Sequence, residues 1–370
     1  MNTSMTMIIF IIIMVPIFII SMFTPFITRK TESFGVYIPE DIYQDPLLKE
    51  MRKQYVSITG ALSLMVIAGF FLLVPWLGGS TERVSLSFSV SIVFYMTTAF
   101  IVYFVFHKKM KKLKAQKGWT EQRQQQVTVD LQFREKKLIF SNLWFIVSFI
   151  ISFATLITTF VFYENIPNRI PMQYNFNGEV TNWSDKSYRS VMIMPVMQIY
   201  LTLLFLFINT MIANAKQQTS SANPAKSIEQ NVQFRRRWSA FIILTGTALT
   251  LMFSFIQISF IFPVNSQLLT IIPLIFSGGV IVGAIILSFN TGQGGSRINT
   301  GIDSKGEVID RDDDRYWKLG QIYYNKKDPA LFLEKRFGIG WTINFARPLA
   351  WTVLVLIVLL AIAIPMLLGE

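Results

Sequence analysis

The stretch MIIFIIIMVPIFIISMFTPFI, residues 7–27, decides the class of the fold. It carries no charged side chain, and it is long enough to cross a hydrocarbon core of about 30 Å, for which a helix needs about 20 apolar residues. The uncharged segment before it and the Thr-Arg-Lys after it predict a transmembrane helix with a stop-transfer end, not a cleaved secretory signal. The bilayer is therefore the expected solvent of this chain.

Seven further runs of the same kind follow. The composition agrees, because 52% of the 370 residues are hydrophobic and only 15% are charged, with a mean hydropathy of +0.45. A soluble chain of this size could not bury so much apolar surface. We predict an all-α integral membrane protein with about eight transmembrane helices, the other seven at 56–77, 86–106, 140–162, 190–213, 239–262, 267–289 and 349–368.

The basic residues alternate sharply between loops. Loops 28–55, 107–139, 214–237 and 290–348 hold 30 of the 34 Lys and Arg residues, and the positive-inside rule assigns these loops to the cytoplasm. Both termini are then expected to be extracellular, with the plasma membrane as the location. The isoelectric point of 9.7 thus indicates topology, so the expected partner is the lipid bilayer and not nucleic acid.

The sequence offers few groups for catalysis. It has no cysteine and one histidine, His107, which excludes thiol chemistry and the common zinc motifs. All charged residues fall outside the eight apolar runs, which argues against an ion-coupled pump, whose ionisable groups lie at membrane depth. We expect no enzyme activity, no metal and no cofactor. Gln198, Asn209 and Gln257 lie within apolar runs and are expected to hydrogen-bond between helices.

The first two basic loops carry local signals. Phe34, Gly35 and Pro39 stand in an extended segment, and Asp45-Pro46 predicts the capped start of a helix that continues into the second span. Its basic side chains, Lys49, Arg52 and Lys53, are expected to face lipid headgroups. In the second loop, the lysine-rich segment 107–117 is expected to attract anionic lipid, and the alternation at 127–133 predicts a strand.

Loop 163–189 predicts a small extracellular β-hairpin. Asn177-Gly178 accepts the positive φ of a type I′ turn, and it stands between two short alternating segments. A solvated connector is one interpretation; the other is a recognition surface, since loops on a rigid scaffold often carry binding. The candidate recognition residues are Pro167, Arg169, Pro171, Tyr174, Asn175, Gly178, Glu179, Trp183 and Lys186.

The pattern N-x-P-x-x-I-P, N-x-x-G-E and W-S-x-K in this loop resembles that of a family of bacterial multi-pass membrane proteins of unknown function. That family is related to the immunity proteins of the sporulation-delaying toxin system, and the Phe-Gly-Val segment before the second span also resembles one of its motifs. Members often have a histidine two residues after the second proline, where this chain has Gln173. A metal or proton role at that position is therefore not expected here.

The last basic loop divides into a flexible linker, 290–314, and a compact cytoplasmic module, 315–348, which separate the bundle 1–289 from the last helix 349–370. The acidic run Asp310, Asp312, Asp313 and Asp314 is expected to be solvated. Lys326, Lys327, Lys335 and Arg336 are expected to face lipid. The module resembles a small C-terminal unit of related membrane proteins, also of unknown function, and its matching residues include Trp317, Gly320, Tyr324, Asn325, Arg336, Gly340, Trp341 and Asn344.

These features predict a non-enzymatic membrane protein of the envelope immunity or sensing type. The resemblance implies that it binds or excludes a membrane-active peptide toxin at the outer loop and signals to a cytosolic regulator. The alternative is a permease, or a subunit of a transport complex, for a neutral or hydrophobic solute. The sequence does not determine the ligand or the oligomeric state.

Overall fold

A computed structural model describes residues 3–77, 81–119, 125–126, 136–174, 178–217, 224–300, 309–310 and 313–368. The protein is mostly helical, at 72%, and within the described residues eight helices are long and apolar enough to cross a membrane. This agrees with the multi-pass membrane fold that the sequence predicts. The helices are α1 Thr3–Ile27, α2 Pro46–Leu73, α3 Thr81–Lys117, α4 Phe145–Val161, α5 Tyr188–Asn214, α6 Pro224–Ile258, α7 Ser266–Thr291 and α8 Pro348–Leu368.

Several helices continue well beyond their apolar runs. Helix α2 begins at Pro46, and the side chain of Asp45 caps it by accepting a hydrogen bond from the Leu47 amide at 2.8 Å. The predicted cap is thus confirmed. The prediction that Arg52 faces lipid headgroups is wrong. Its side chain is buried, and its guanidinium carbon lies 4.1 Å from the Tyr43 ring centroid.

The helices form two groups. Helices α1, α2 and α3 pack together around an apolar core, in which the rings of Phe10 and Phe70 stack at 3.8 Å. Helices α4, α5 and α6 form the second group, with α8 against α5. Helix α7 contacts both groups: Phe289 lies 5.9 Å from Phe23 of α1, and Gly283 lies against Phe241 of α6.

The second group is held by polar contacts as well as apolar ones. The hydroxyls of Ser148 and Thr247 lie 3.2 Å apart, and those of Thr155 and Ser254 lie 2.6 Å apart. Both pairs join residues 99 positions apart, so α4 and α6 run in parallel with a fixed register. We call this row of polar side chains between α4, α5 and α6 the polar seam.

Short strand pairs lie outside the helices. They are β1 Glu32–Ser33 with β2 Val36–Tyr37, β3 Gln125–Gln126 with β6 Ile309–Asp310, β4 Arg169–Tyr174 with β5 Val180–Asp185, β7 Trp317–Lys318 with β8 Ile322–Tyr323, and β9 Phe332–Glu334 with β10 Trp341–Ile343. Strands β4 and β5 are antiparallel and form the predicted hairpin. Its turn residues 175–177 and the predicted strand 127–133 lie outside the described residues. The predicted domain boundaries stay predictions.

The two ends of the bundle differ in what covers them. The β4–β5 hairpin lies where α4 and α6 end and where α5 and α7 begin, and we call this the hairpin end. At the opposite end, the module 315–348 contacts the chain segments that follow α1 and α5 and precede α2. We call this the module end. Each end carries one of the two candidate sites.

Candidate functional site

The hairpin rests on an apolar floor. Ile170 of β4 is fully buried against Ile166, Val191 of α5 and Phe260 at the end of α6. Gly178 lies directly against the start of α7, where a Cβ would stand 2.9 Å from the Ser266 hydroxyl oxygen. Its φ of +82° also favours glycine. The hairpin is therefore seated on the helix ends.

The opposite face of the hairpin is exposed at Arg169, Trp183 and Asp185, and the chain continues from it through half-buried Lys186 to exposed Tyr188 at the start of α5. We call these five residues the hairpin platform. Trp183 is 49% exposed and Tyr188 59%. Arg169 and Asp185 face each other across the strands at 3.9 Å, but their side chains are 75% and 92% exposed, so this ion pair contributes little to stability. The platform thus presents aromatic and charged groups at the surface, and among them Lys186 and Tyr188 also contact the Tyr163 ring.

The predicted recognition residues are partly brought together. Arg169 pairs with Asp185 in the strand register, and Pro171 pairs with Trp183. Tyr174 pairs with Val180 further towards the turn, whereas Asn175 lies outside the described residues. Pro167 and Glu179 are exposed beside the strands, and the Lys186 ammonium lies 4.6 Å from the ring centroid of Tyr163.

The module end contains a buried acid between two arginines. Glu334 is fully buried; one carboxylate oxygen pairs with Arg29, and the other accepts from Arg235 at 3.2 Å and from the Asn231 amide at 2.6 Å. Arg29 follows α1, and Arg235 belongs to α6. The carboxylate therefore joins the two helix groups, and we call Arg29, Asn231, Arg235 and Glu334 the clasp.

Arg235 is held in the clasp by the backbone as well. Its guanidinium donates to the carbonyl oxygens of Ile212 at 2.6 Å and Ala215 at 3.0 Å, at the end of α5. Buried charges are tolerated only when paired and hydrogen-bonded. The clasp meets this requirement with contacts from α5, from α6, from the segment after α1 and from strand β9.

A second cluster of charges surrounds Arg336, which is only 1% exposed. Its guanidinium pairs with Asp313 and Asp314, and its Nε lies 3.9 Å from Glu32 of β1. Asp314 also accepts from Lys114 of α3 at 2.7 Å. The expectation that Arg336 faces lipid is therefore wrong, and Asp313 and Asp314 are partly buried and paired with Arg336 where the sequence predicts solvated side chains. The side chains of Asp310 and Asp312 lie outside the described residues.

The cluster changes the acidity of its carboxyl groups. Burial raises the pKa of Glu32 to about 8, although Arg29 and Arg336 favour its charged form. Burial would also raise the pKa of Asp314, but Arg336 and Lys114 together hold it below its usual value. One oxygen of Glu32 has no hydrogen-bond partner among the described residues. Glu32 is thus the weakest point of the cluster.

Two tight turns join the first loop to the module. Phe34 and Gly35 have φ of 47° and 74°, as a type I′ turn requires, and Leu319 and Gly320 also have positive φ. A Cβ on Gly35 would stand 2.5 Å from the Gly320 carbonyl oxygen. The Phe-Gly motif of the first loop is therefore a docking contact for the module.

Helix α3 supports both turns. The Tyr103 hydroxyl donates to the Leu319 carbonyl at 2.8 Å, and the Nδ1 of His107 lies 2.8 Å from the Phe34 carbonyl. The only histidine of the chain thus has a structural contact. Phe34 itself packs among Tyr55 and Phe106.

Most other residues of the module motif hold the module together. The Asn344 side chain bonds to Asn325 through both its oxygen and its nitrogen, at 3.1 and 2.9 Å. Gln293, which follows α7, bonds to both backbone groups of Gly340. Trp317 lies 5.3 Å from the Arg336 guanidinium. Trp341 packs against Phe234 of α6, Pro39 is buried, and Tyr324 is exposed.

The polar seam links the two ends through α5. Gln257 donates to Thr159 and to the Val191 carbonyl, both at 3.1 Å, directly beneath the hairpin. Gln198 donates to the Thr250 carbonyl at 2.8 Å, and Asn209 to the Phe140 carbonyl at 3.2 Å. The predicted helix–helix hydrogen bonds of these three residues are confirmed.

Sequence reasoning missed Glu32, Arg235, Gln293 and Glu334, because each is an ordinary polar residue in a basic loop. The signal that was available is the Phe-Gly turn, which marks a place where backbone approaches backbone. Within the described residues, no group of three His, Asp or Glu side chains is placed to hold a metal ion.

Comparison with known proteins finds two family models. Residues 150–199 are similar to a domain of unknown function (DUF1648), a family of membrane-associated proteins. Residues 326–351 are similar to a family of unknown function (DUF5808). No curated protein and no solved structure matches the chain. The two matched segments coincide with the hairpin and with the part of the module that carries Glu334 and Arg336.

Proposed function

We propose that the protein is a non-enzymatic membrane receptor of the immunity or sensing type, which binds or excludes a membrane-active peptide at the hairpin platform. The observation that carries this proposal is the contrast between the two faces of the hairpin. Ile170 is fully buried, whereas Trp183 and Arg169 are exposed. Arg and Trp are the side chains most enriched in binding hot spots, and a seated hairpin presents them with little loss of entropy on binding.

The proposal includes an orientation. The module end carries nearly all the basic residues, so it faces the cytoplasm of a bacterial cell, and the platform faces outward with both termini. Single cysteines at Thr181 and Lys318, both exposed in this cysteine-free chain, can be labelled with a membrane-impermeant thiol reagent in intact cells. We expect labelling at 181 and not at 318; the reverse pattern would invert the orientation.

The same arrangement supports signalling to a cytosolic regulator. Helix α5 carries Val191 beneath the hairpin and the Ile212 carbonyl that binds Arg235. At 1.5 Å per residue these positions are about 30 Å apart, so one rigid helix reaches from the platform to the clasp. A shift of α5 on peptide binding would change the clasp and with it the cytoplasmic surface of the module. The resemblance of the hairpin pattern to toxin-immunity relatives is consistent with this role.

The test replaces Arg169 and Trp183 by alanine. Cells that express each variant are challenged with a panel of synthetic membrane-active peptides, and survival is compared at equal amounts of protein in the membrane. The matched control replaces Arg83 and Trp76, which are the same residue types, exposed outside the hairpin. We expect the wild type and the control to protect, and the hairpin variant to fail.

Two outcomes count against the proposal. If the hairpin variant protects as well as the wild type, the platform is not the binding surface. If the wild type protects against none of the peptides, the immunity function itself is refuted.

The polar seam favours a second candidate function, a permease or transport-complex subunit for a neutral or hydrophobic solute. Gln198 and Gln257 are buried, and each has a side-chain oxygen without a partner among the described residues. Such oxygens are potential hydrogen-bond sites for a neutral solute. The test is uptake of uncharged solutes by proteoliposomes that contain the protein. Uptake that is lost in the Gln198→Leu variant would support this candidate, and uptake that persists in that variant would not.

A further inference from the structure

A groove of about 340 Å³ lies between the first turns of α2 and the last turns of α3, away from the platform and the clasp. Leu47, Met51 and Leu113 give it an apolar floor. Its polar rim consists of Glu50, Gln54, Lys109, Lys112 and Gln116. A groove with an apolar floor and a basic rim fits a ligand that is itself amphipathic.

Among the described residues, the hydrogen bonds at the rim of the groove leave the Lys112 ammonium without a partner. The Lys109 ammonium donates to the Gln54 side-chain oxygen at 3.3 Å, and the Gln54 amide donates to Glu50 at 2.9 Å. The one acidic group of the groove is thus engaged by its neighbour. Across the described parts of the chain, Lys112 makes no hydrogen bond or ion pair, so its charge is available to an anion.

The two lysines lie at the depth of lipid headgroups. The apolar run of α3 ends at Phe106. At 1.5 Å per residue, Lys109 stands about 4–5 Å and Lys112 about 9 Å beyond that point. The headgroup layer of a bilayer extends about 5–8 Å beyond the hydrocarbon core. The Cα atoms of the two lysines therefore bracket the level of the phosphates.

Exposed apolar side chains of α2 and α3 continue the line of the groove towards the middle of the membrane. On α3, Ile101 and Val105 are 54% and 57% exposed and precede Lys109 by two turns and one turn. On α2, Ile58 and Met65 are 47% and 62% exposed and follow Gln54 on the same face. The polar rim followed by exposed apolar side chains matches the order of chemical groups along a phospholipid, from headgroup to acyl chain.

We propose that this groove binds an acidic phospholipid, with its phosphate between Lys109 and Lys112 and an acyl chain along Ile101 and Ile58. The charges of the lining favour an anionic lipid, since two lysines face a single Glu50. The next turn of α3 carries Lys114, which pairs with Asp314 of the Arg336 cluster. A bound lipid would therefore stabilise the part of α3 on which the module rests.

The test compares two double variants that lose the same charge. Lys109→Gln with Lys112→Gln removes the two lining cations, whereas Lys108→Gln with Lys111→Gln removes two exposed neighbours that do not line the groove. Each protein is reconstituted in nanodiscs of phosphatidylcholine with a minor fraction of phosphatidylglycerol. Native mass spectrometry then counts the acidic lipids retained on the protein.

We expect the wild type and the 108/111 variant to retain one acidic lipid. The 109/112 variant should bind it about 25-fold more weakly, because each basic group beside an anionic headgroup changes affinity by about a factor of five and the two factors multiply. Leu113→Trp, which fills the groove without changing charge, should also release the lipid. Melting temperatures of all variants identify any that fail to fold.

Equal loss in the two double variants would overturn the proposal, because it would show a diffuse attraction to the lysine-rich segment. Retention in both the 109/112 variant and Leu113→Trp would overturn it as well. Loss confined to these two variants supports a defined site.

Discussion

Replacing Glu334 by glutamine tests whether the clasp joins the two helix groups. The substitution keeps the size of the side chain and one acceptor oxygen, but it removes the only negative charge between Arg29 and Arg235 in the clasp as described. Removing one partner of a buried ion pair costs about 3–5 kcal/mol, because the other charge stays buried without compensation. Arg235 keeps its bonds to the Ile212 and Ala215 carbonyls, so we expect about 3 kcal/mol.

The assay is equilibrium unfolding in mixed micelles with increasing sodium dodecyl sulfate, followed by tryptophan fluorescence. A matched control is Asp185→Asn, which also removes an acidic partner of an arginine, but from a pair that is 92% exposed on the acidic side. We expect its unfolding midpoint to equal that of the wild type.

A double-mutant cycle separates the charge effect from a packing effect. Combining Glu334→Gln with Arg29→Gln removes one of the two arginines that lose the Glu334 charge, so the double variant should recover at least about 1 kcal/mol relative to the sum of the single effects. A Glu334→Gln protein within about 0.5 kcal/mol of the wild type would refute the reasoning. So would a cycle without coupling.

Three further predictions concern the pH dependence, the tight turn and the seam. The pKa of Glu32 is raised to about 8 in the folded protein, so its burial lowers stability progressively from about pH 4.5 to about pH 8. Glu32→Gln should flatten this decline and raise the melting temperature above pH 8. An unchanged pH profile of the melting temperature would contradict the raised pKa. Gly35→Ala should destabilise by about 1–3 kcal/mol in the same unfolding assay, because its positive φ and the close Gly320 carbonyl exclude a Cβ, whereas Gly69→Ala, with open space around it, should not. Gln257→Leu should lower stability by about 1–2 kcal/mol, because it removes two interhelical hydrogen bonds. The control is Leu251→Ala on an exposed face of the same helix. An equal loss of stability in that control would show that the hydrogen bonds are not responsible.

The transmembrane fold could be predicted because the bilayer acts on each span separately. An uncharged run long enough to cross the hydrocarbon must form a helix, whatever the rest of the chain does. In α1 the segment able to cross the membrane is Met7–Ile27, the same range as the apolar run in the sequence. Where charged residues continue a helix, as in α6 from Pro224, the apolar run marks only part of it. The hairpin could be predicted for a similar reason, since its turn signal is local.

The clasp and the Arg336 cluster could not be predicted in this way. Arg29 and Glu334 are 305 residues apart, and Arg336 and Gly35 are 301 apart. No periodicity or local spacing relates such positions. A basic side chain in a short loop beside a membrane looks the same whether it faces a headgroup or a buried carboxylate. Gly35 was the local sign of a close backbone contact at this place, but the sequence predicts an extended segment there and not the tight turn with positive φ that the structure has.

The position of Glu334 in the chain has a consequence for biogenesis. A ribosome adds about 5–20 residues per second, so the 305 residues between Arg29 and Glu334 separate the two partners by roughly 15–60 s. Arg29 lacks the Glu334 carboxylate during that whole interval, and Arg235, which precedes Glu334 by 99 residues, lacks it for roughly 5–20 s. The contact between the two helix groups through Glu334 therefore forms only after the first seven helices have been made. We expect a chain that stops before residue 334 to hold these two groups together less firmly than the finished protein.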